Sequence, residues 1–237
     1  MSGHSKWSTI KRQKEGTDAK KSLAFSKFAK AISIAAKSGP DPDSNFKLRL
    51  IIERARAINM PKDNIERAIG KASSTSDVEE TVYEGFGPGG VSVVVQAATD
   101  NKNRTAQEMK NLFERGGGRL ASPGSVAYGF EQVGQILVSK NDNPEEQMLA
   151  LIDAGGEDLE ETDDGIEVYV KPTETAAVRA KIEEVGFSVI RMELSMRPKT
   201  LVQVSDPETA KKAITFLENL ESHEDVQNVY SNLEVGG

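Results

Sequence analysis

The sequence has no cysteine and only two histidines, His4 and His223, in 237 residues. Without cysteine there is no disulfide framework, thiolate zinc site, iron–sulfur cluster or cysteine nucleophile. Two histidines leave almost no room for a multi-histidine metal site within one chain. No apolar run approaches the roughly 18 residues that a membrane span needs. The opening residues, MSGHSKWSTIKRQK, lack the apolar stretch of a signal peptide, so a cytoplasmic location is expected. The length suits one or two ordinary domains or three small ones.

What is present is unevenly charged. The net charge is −7 overall. Residues 1–71 carry 16 Lys+Arg against 7 Asp+Glu, a net charge of +9, whereas residues 72–237 carry 14 against 30, a net charge of −16. A basic head on an acidic body points to a nucleic-acid or anionic-surface contact made by the head.

The head reads as helical. After a polar, basic arm over residues 1–16, Asp18 is a candidate N-cap for a helix to about Lys37. At about 100° per residue, Phe25, Phe28, Ile32, Ala35 and Ala36 share one arc. Lys20, Lys27, Lys30 and Lys37 lie across from it, as a lysine stripe opposite a core face. The turn-rich segment Ser38–Asn45 precedes a second helix over about Asn45–Ile58. Pro61 suits the first turn of a third, which Gly70 can end.

From Thr81 the period changes. Strands are expected at Val82–Glu84 and Val91–Ala98, then a helix opened by a capping box at Thr105–Glu108, then a strand at Ser125–Phe130. Gly134–Lys140 (strand), Pro144–Ala154 (helix), Glu157–Glu161 and Ile166–Val170 (strands), Thr173–Val185 (helix) and Phe187–Arg197 (strand) give the βαββαβ order of a ferredoxin-like domain. Leu201–Val204, a helix over Asp206–Leu220 and a last strand over Val226–Leu233 are placed to return and complete the sheet begun at Thr81.

Gly85-Phe-Gly87-Pro-Gly-Gly90 matches G-x-G-x-x-G, but a valine-rich strand follows it where a dinucleotide site needs a helix, so it reads as a turn between strands. No phosphate loop of the Walker type is present. His223, in Glu221-Ser-His-Glu-Asp225, reads as a surface histidine, because no nucleophile lies near it in a G-x-S-x-G turn. The acidic run Glu157–Asp164 lacks calcium-loop spacing and reads as a solvated surface. A second basic feature comprises Lys102, Arg104, Lys110, Arg115 and Arg119, where three glycines beside Arg119 would let backbone and guanidinium approach a phosphate together.

Several segments together resemble the YebC/PmpR family: Gly3-His-Ser-Lys-Trp7 with Ile10-Lys11, Asp18-Ala-Lys20 with Phe25, Asn59–Ile69, Tyr83–Gly90, Thr99–Thr105 and Gly124-Ser-Val-Ala-Tyr128. The resemblance spans the whole chain. It implies an α+β protein of three domains, an N-terminal basic helical bundle followed by two α/β (ferredoxin-like) domains. The boundaries expected are 1–78, 79–132 plus 200–237, and an inserted 133–199. It also implies a nucleic-acid-related role: bacterial members carry the label of probable DNA-binding transcriptional regulators, and relatives include a mitochondrial translational activator.

The function expected is a non-enzymatic, nucleic-acid-binding regulator of gene expression. Its target is promoter DNA or, alternatively, ribosomal RNA on the ribosome. Lys6, Lys11, Arg12, Lys14, Lys20, Lys27 and Lys30 are the expected phosphate contacts, Trp7 packs or stacks, and Arg104 and Arg119 form the second patch. Neutralising about five phosphates gives a salt slope of about −4.5 on duplex DNA. No helix carries Arg, Asn or Gln arranged to read base edges, which favours RNA. An enzyme or small-molecule sensor is a third reading, disfavoured by the lack of cofactor motifs. No catalytic residue, cofactor, metal, membrane or small-molecule partner is expected, and the default state is a monomer.

Overall fold

The structure is a computed structural model that describes residues 18–72 and 78–236, with side chains from Lys21 onward. It is a mixed α+β protein with seven α-helices among the described residues. Two four-stranded sheets and one two-stranded sheet accompany them. The chain forms two compact units. One is Phe130–Lys199, and the other joins the described residues up to Gly129 to those from Thr200 onward.

The larger unit starts with three helices: α1 (Asp18–Ala36), α2 (Phe46–Ala57) and α3 (Lys62–Lys71). The apolar arc of α1 is the core face. Ile32, Ala35 and Ala36 are buried against Leu48, Ile52, Ala55, Met60, Ile65 and Ala68, with Phe25 and Phe28 at the margin. Asn45 joins two helices. Its Oδ1 accepts the Leu48 N–H as the N-cap of α2, while its Nδ2 donates to the carbonyls of Ala35 and Gly39, each at 2.8 Å. Asn59 stops α2 in the left-handed region at φ 61°. The Asn59 and Met60 amides bond back to the carbonyls of Arg56 and Ala55 in a Schellman motif, and Met60 is buried behind it. The segment Asn59-Met-Pro61 is therefore a helix stop followed at once by a helix start.

The same unit continues with β1 (Glu79–Phe86), β2 (Ser92–Thr99), α4 (Lys102–Arg115) and the short β3 (Arg119–Leu120). After the inserted unit the chain returns to it with β8 (Val202–Val204), α7 (Pro207–Glu221), β9 (Val226–Ser231) and β10 (Leu233–Val235). The sheet order is β3-β1-β2-β9, antiparallel throughout, so the C-terminal segment does complete the sheet begun by β1. The expected last strand is two: β9 joins this sheet, and β10 pairs in parallel with β8. Phe113 of α4 and Phe216 of α7 meet edge to face at 5.1 Å in a core shared with Val91, Val93, Val95, Leu217 and Val229. The glycine-rich match is the β1–β2 turn, closed by the Gly87 N–H on the Val91 carbonyl at 2.8 Å.

The inserted unit has the order β4 (Phe130–Val138), α5 (Pro144–Asp153), β5 (Asp158–Thr162), β6 (Gly165–Val170), α6 (Thr175–Glu184) and β7 (Val189–Pro198). Its sheet order β5-β6-β4-β7 is antiparallel, the ferredoxin-like arrangement. Ile136, Val138, Ile166 and Val168 form its buried face. On β6, buried Glu167 accepts from Gln135 Nε2 and from Tyr169 Oη, the latter at 2.7 Å.

One strand expectation fails. Ser125–Gly129 is a loop ending in a 3₁₀ turn (Ala127–Gly129), and Phe130–Val138 is a single strand. The apolar alternation of that stretch reflects one buried valine, Val126, and not a pleat.

Candidate nucleic-acid interface

Lys6, Trp7, Lys11, Arg12 and Lys14 lie outside the described residues, and Lys20 is placed only as a backbone position of α1. The other expected contacts can be followed. Lys27 Nζ donates to the carbonyl of Glu221, at the end of α7, where a helix gathers partial negative charge. Lys30 pairs with Asp225, a carboxylate with 0% of its side chain exposed. The lysine stripe was expected to contact phosphates. At these two positions it faces α7 and the turn after it. Helical periodicity separates apolar from charged arcs but does not distinguish water from a carboxylate on another element.

Asp225 is the centre of a polar node. Its Oδ1 takes Lys30, and its Oδ2 takes Arg104 at 3.3 Å and the Thr105 hydroxyl at 2.7 Å. Its carbonyl accepts the Ala98 N–H at 2.7 Å. Burial pushes the Asp225 carboxyl up, but hydrogen bonds from Lys30, Thr105 and Arg104 and the Lys30 charge outweigh it and hold the group below its ordinary value. The Asp225 hydrogen bond in turn raises the Arg104 guanidinium, which also pairs with Asp100 at 3.0 Å.

Two expectations are corrected at this node. Thr105 does not open α4. The N-cap is Asn101, whose Oδ1 accepts the Arg104 N–H at 3.1 Å. Thr105 sits a turn further on, fully buried, with its Oγ1 2.7 Å from both Asp225 and Thr99 Oγ1. His223 is not a surface histidine, since its side chain is 14% exposed and its Nε2 lies 2.9 Å from Glu108. The Asp225 N–H donates to Nδ1 at 3.1 Å, which places the proton of the neutral ring on Nε2, facing the carboxylate. Ligand atoms of Glu108, His223 and Asp225 lie within 4.8 Å of one another. Lys30 and Arg104 already occupy Asp225, so this cluster is an ion-pair node.

The glycines near Arg119 answer to packing. Gly117 (φ 77°) ends α4 in a Schellman motif, with Gly118 N–H on Phe113 O at 2.8 Å and Gly117 N–H on Glu114 O at 3.2 Å. A Cβ on Gly116 would lie 2.2 Å from Phe216, and one on Gly85 2.4 Å from Phe113. Both rings press on bare backbone. Arg119 is exposed and stacks its guanidinium over Phe86 at 5.1 Å.

A second buried acid was not singled out from the sequence. Glu84 of β1 accepts three backbone N–H groups, from Gly124 (2.6 Å), Val126 (2.7 Å) and Ala127 (2.7 Å). Burial raises its pKa, yet the three amides together hold it below the ordinary value. This carboxylate fastens the loop that follows β3. The available signal was a glutamate between Tyr83 and Gly85, opposite Val94 of the valine-rich strand.

Cations remain on the outside of this unit. Lys21, Arg56, Arg67 and Arg115 are exposed, and among the described residues none of them is in an ion pair.

Comparison with known proteins agrees with this architecture. Residues 5–75 match the TACO1/YebC protein N-terminal domain, and residues 78–233 match the TACO1/YebC second and third domain. A protein of Lactobacillus gasseri is 47% identical, with 98% of this chain and 97% of that one covered. One of Synechococcus sp. (strain JA-3-3Ab) is 46% identical over 99% and 96%. Both bear the name probable transcriptional regulatory protein. The crystal structure of a conserved hypothetical protein of Aquifex aeolicus superposes with a TM-score of 0.89 at 39% identity, covering 98% of each chain. Among the described residues no helix is long and apolar enough to cross a membrane. The chain belongs to the TACO1/YebC family.

Proposed function

We propose that the protein is a non-enzymatic regulator of gene expression that binds nucleic acid through its basic N-terminal segment. The observation that carries this is the charge separation, +9 over residues 1–71 against −16 over the rest. The relatives' name as probable transcriptional regulatory proteins supports the regulatory part. Because Lys27 and Lys30 have partners on α7 and Asp225, the phosphate contacts fall to Lys6, Lys11, Arg12, Lys14 and Lys20, with Arg56 and Arg67 on the exposed side of the helices. The expected salt slope stays at about −4.5, since about five cations remain.

DNA at a promoter is the first target. A ribosome-bound translation factor is the second, and one observation favours it. The exposed residues of α3 include Asp63 and Glu66 beside Lys62, Arg67 and Lys71. Carboxylates on a helix are poorly suited to a major groove walled by phosphates, and better suited to shape recognition of folded RNA.

In-cell crosslinking of tagged protein, with sequencing of recovered DNA and RNA, separates the two. Promoter-centred DNA peaks that vanish in a Lys6→Glu, Lys11→Glu, Lys14→Glu variant support the transcriptional reading. Ribosomal RNA enriched at one place supports the translational one. No enrichment of either in the wild type overturns the proposal.

A further inference from the structure

We infer that the outer face of α5 in the inserted unit is a docking surface for a basic amphipathic helix of a partner protein. This does not rest on the nucleic-acid reading above.

α5 (Pro144–Asp153) is fixed from its inner side. Gln147 and Leu151 are buried there. The Gln147 amide is held at both atoms: Nε2 donates to the Ser139 carbonyl at 2.8 Å, and Oε1 accepts the Asn141 N–H at 2.9 Å. Glu145, Leu149, Ile152 and Asp153 then share one arc of about 100° on the opposite side of the helix. All four are exposed. Leu149 is 64% and Ile152 51% exposed, and at i, i+3 spacing they are neighbours on the helix surface. A single apolar side chain in water needs no explanation. Here five of the seven large apolar side chains exposed among the described residues belong to the inserted unit, and these two share one helix face.

Charge selects the occupant. Residues 141–170 hold eleven Asp+Glu and no Lys or Arg. Glu145, Glu146 and Asp153 flank Leu149 and Ile152 on α5 itself, and among the described residues none of the three is in an ion pair. Such a surface repels phosphate, which rules out nucleic acid and an anionic membrane. A second copy of the same face would set carboxylates against carboxylates. An apolar pair flanked by carboxylates is complementary to a helix with apolar side chains at i, i+3 or i+4 spacing and Lys or Arg beside them. The partner is therefore a protein segment that is both helical and basic.

The test titrates isotope-labelled full-length protein with a synthetic peptide and follows amide NMR shifts. The peptide is an amphipathic helix of leucine and lysine with leucines at i, i+3, i+4 and i+7, and a scrambled peptide of the same composition is the control. Shifts should concentrate in residues 144–153, and the scrambled peptide should bind more weakly. A Leu149→Gln, Ile152→Gln variant should bind the amphipathic peptide about 10-fold more weakly with an unchanged urea midpoint, since both positions are on the surface. A Glu145→Gln, Asp153→Asn variant should also bind more weakly and depend less on salt. Equal binding of the two peptides, shifts that fall elsewhere, or affinity that Leu149→Gln, Ile152→Gln leaves intact overturns the inference. So does a wild type that binds neither peptide. Binding that appears only in the Lys6→Glu, Lys11→Glu, Lys14→Glu variant would make the chain's own basic segment the occupant. Loss of single-stranded RNA or duplex DNA binding in the Leu149→Gln, Ile152→Gln variant would assign the face to nucleic acid. Either result overturns the partner protein.

Discussion

Two buried carboxylates of the larger unit hold two different regions, and they do so with opposite kinds of partner. Asp225 is held by side chains, Lys30 from α1 and Arg104 and Thr105 from α4. It joins the helical head to the sheet layer. Glu84 is held by three backbone amides and organises one loop. Both acids sit below their ordinary pKa although burial alone would raise them. The difference lies in how visible each is beforehand and how each fails. Backbone amides carry no sequence signature, and of the substitutions only proline removes one. Lysine and arginine are conspicuous, and a count of basic residues assigns them to nucleic acid when the fold has already used them.

Asp225→Ala gives the largest expected effect. It leaves Lys30 and Arg104 facing a site built for a carboxylate, and removing one partner of a buried ion pair costs about 3–5 kcal/mol. Urea unfolding at neutral pH measures it. A loss below about 1 kcal/mol would mean that the node does not hold the head to the sheet layer. Charge reversal at Lys30 should likewise unfold the head, which is why such a variant says nothing about nucleic acid.

Glu84→Gln follows. The amide keeps one acceptor but turns its NH₂ toward converging N–H groups, at a cost of about 2–3 kcal/mol. The loss should be local. Hydrogen exchange should quicken at Gly124, Val126 and Ala127 while α1 stays protected. Faster exchange in α1 would show that the two regions are one cooperative unit and would break the comparison.

How much of this was legible depends on sequence distance. The three head helices, the β1–β2 hairpin and the ferredoxin-like order follow from local periodicity and turn residues, and all are present. The Lys30–Asp225 pair spans 195 residues and Glu84–Gly124 spans 40, and nothing local encodes either. Thr105 matched a capping-box spacing, but Asn101 won because its side chain reaches the Arg104 amide one turn earlier. His223 lay in a string of polar residues that looked solvated, and its partner Glu108 comes from α4, 115 residues away in the chain. The Gly116–Gly118 run looked made for phosphate because the sequence does not show Phe216 arriving from about 100 residues downstream. Local chemistry located the elements. It misassigned residues whose partners come from another element.

Acid titration sharpens the comparison with a smaller effect. A carboxylate whose folded pKa is depressed contributes stability that is fully present above its unfolded value and is lost as pH falls through the folded one. The ordinary values are 4.5 for Glu84 and 3.8 for Asp225, and both are lowered on folding. Stability is therefore expected to hold from neutral pH down to about 4.5 and to fall below it. Urea midpoints at descending pH should show Glu84→Gln losing less on acidification than the wild type. Equal acid sensitivity in the two would place the titrating groups elsewhere.

Lys30→Met should give the smallest change, because Arg104 and Thr105 stay on Asp225 and the lysine is itself 23% exposed. The apolar stem can keep covering the end of the sheet. About 1 kcal/mol is the expected loss at neutral pH. Its diagnostic value lies in acid. Lys30 is the strongest influence lowering the Asp225 pKa, so the variant's carboxyl should titrate higher and its acid unfolding should begin at a higher pH than in the wild type. Among the described residues Glu84 has no such side-chain partner, and the same substitution should leave amide exchange in residues 121–129 unchanged. An acid limb that does not move would assign the depression of Asp225 to Thr105 and Arg104, and Lys30 would again be a candidate for phosphate.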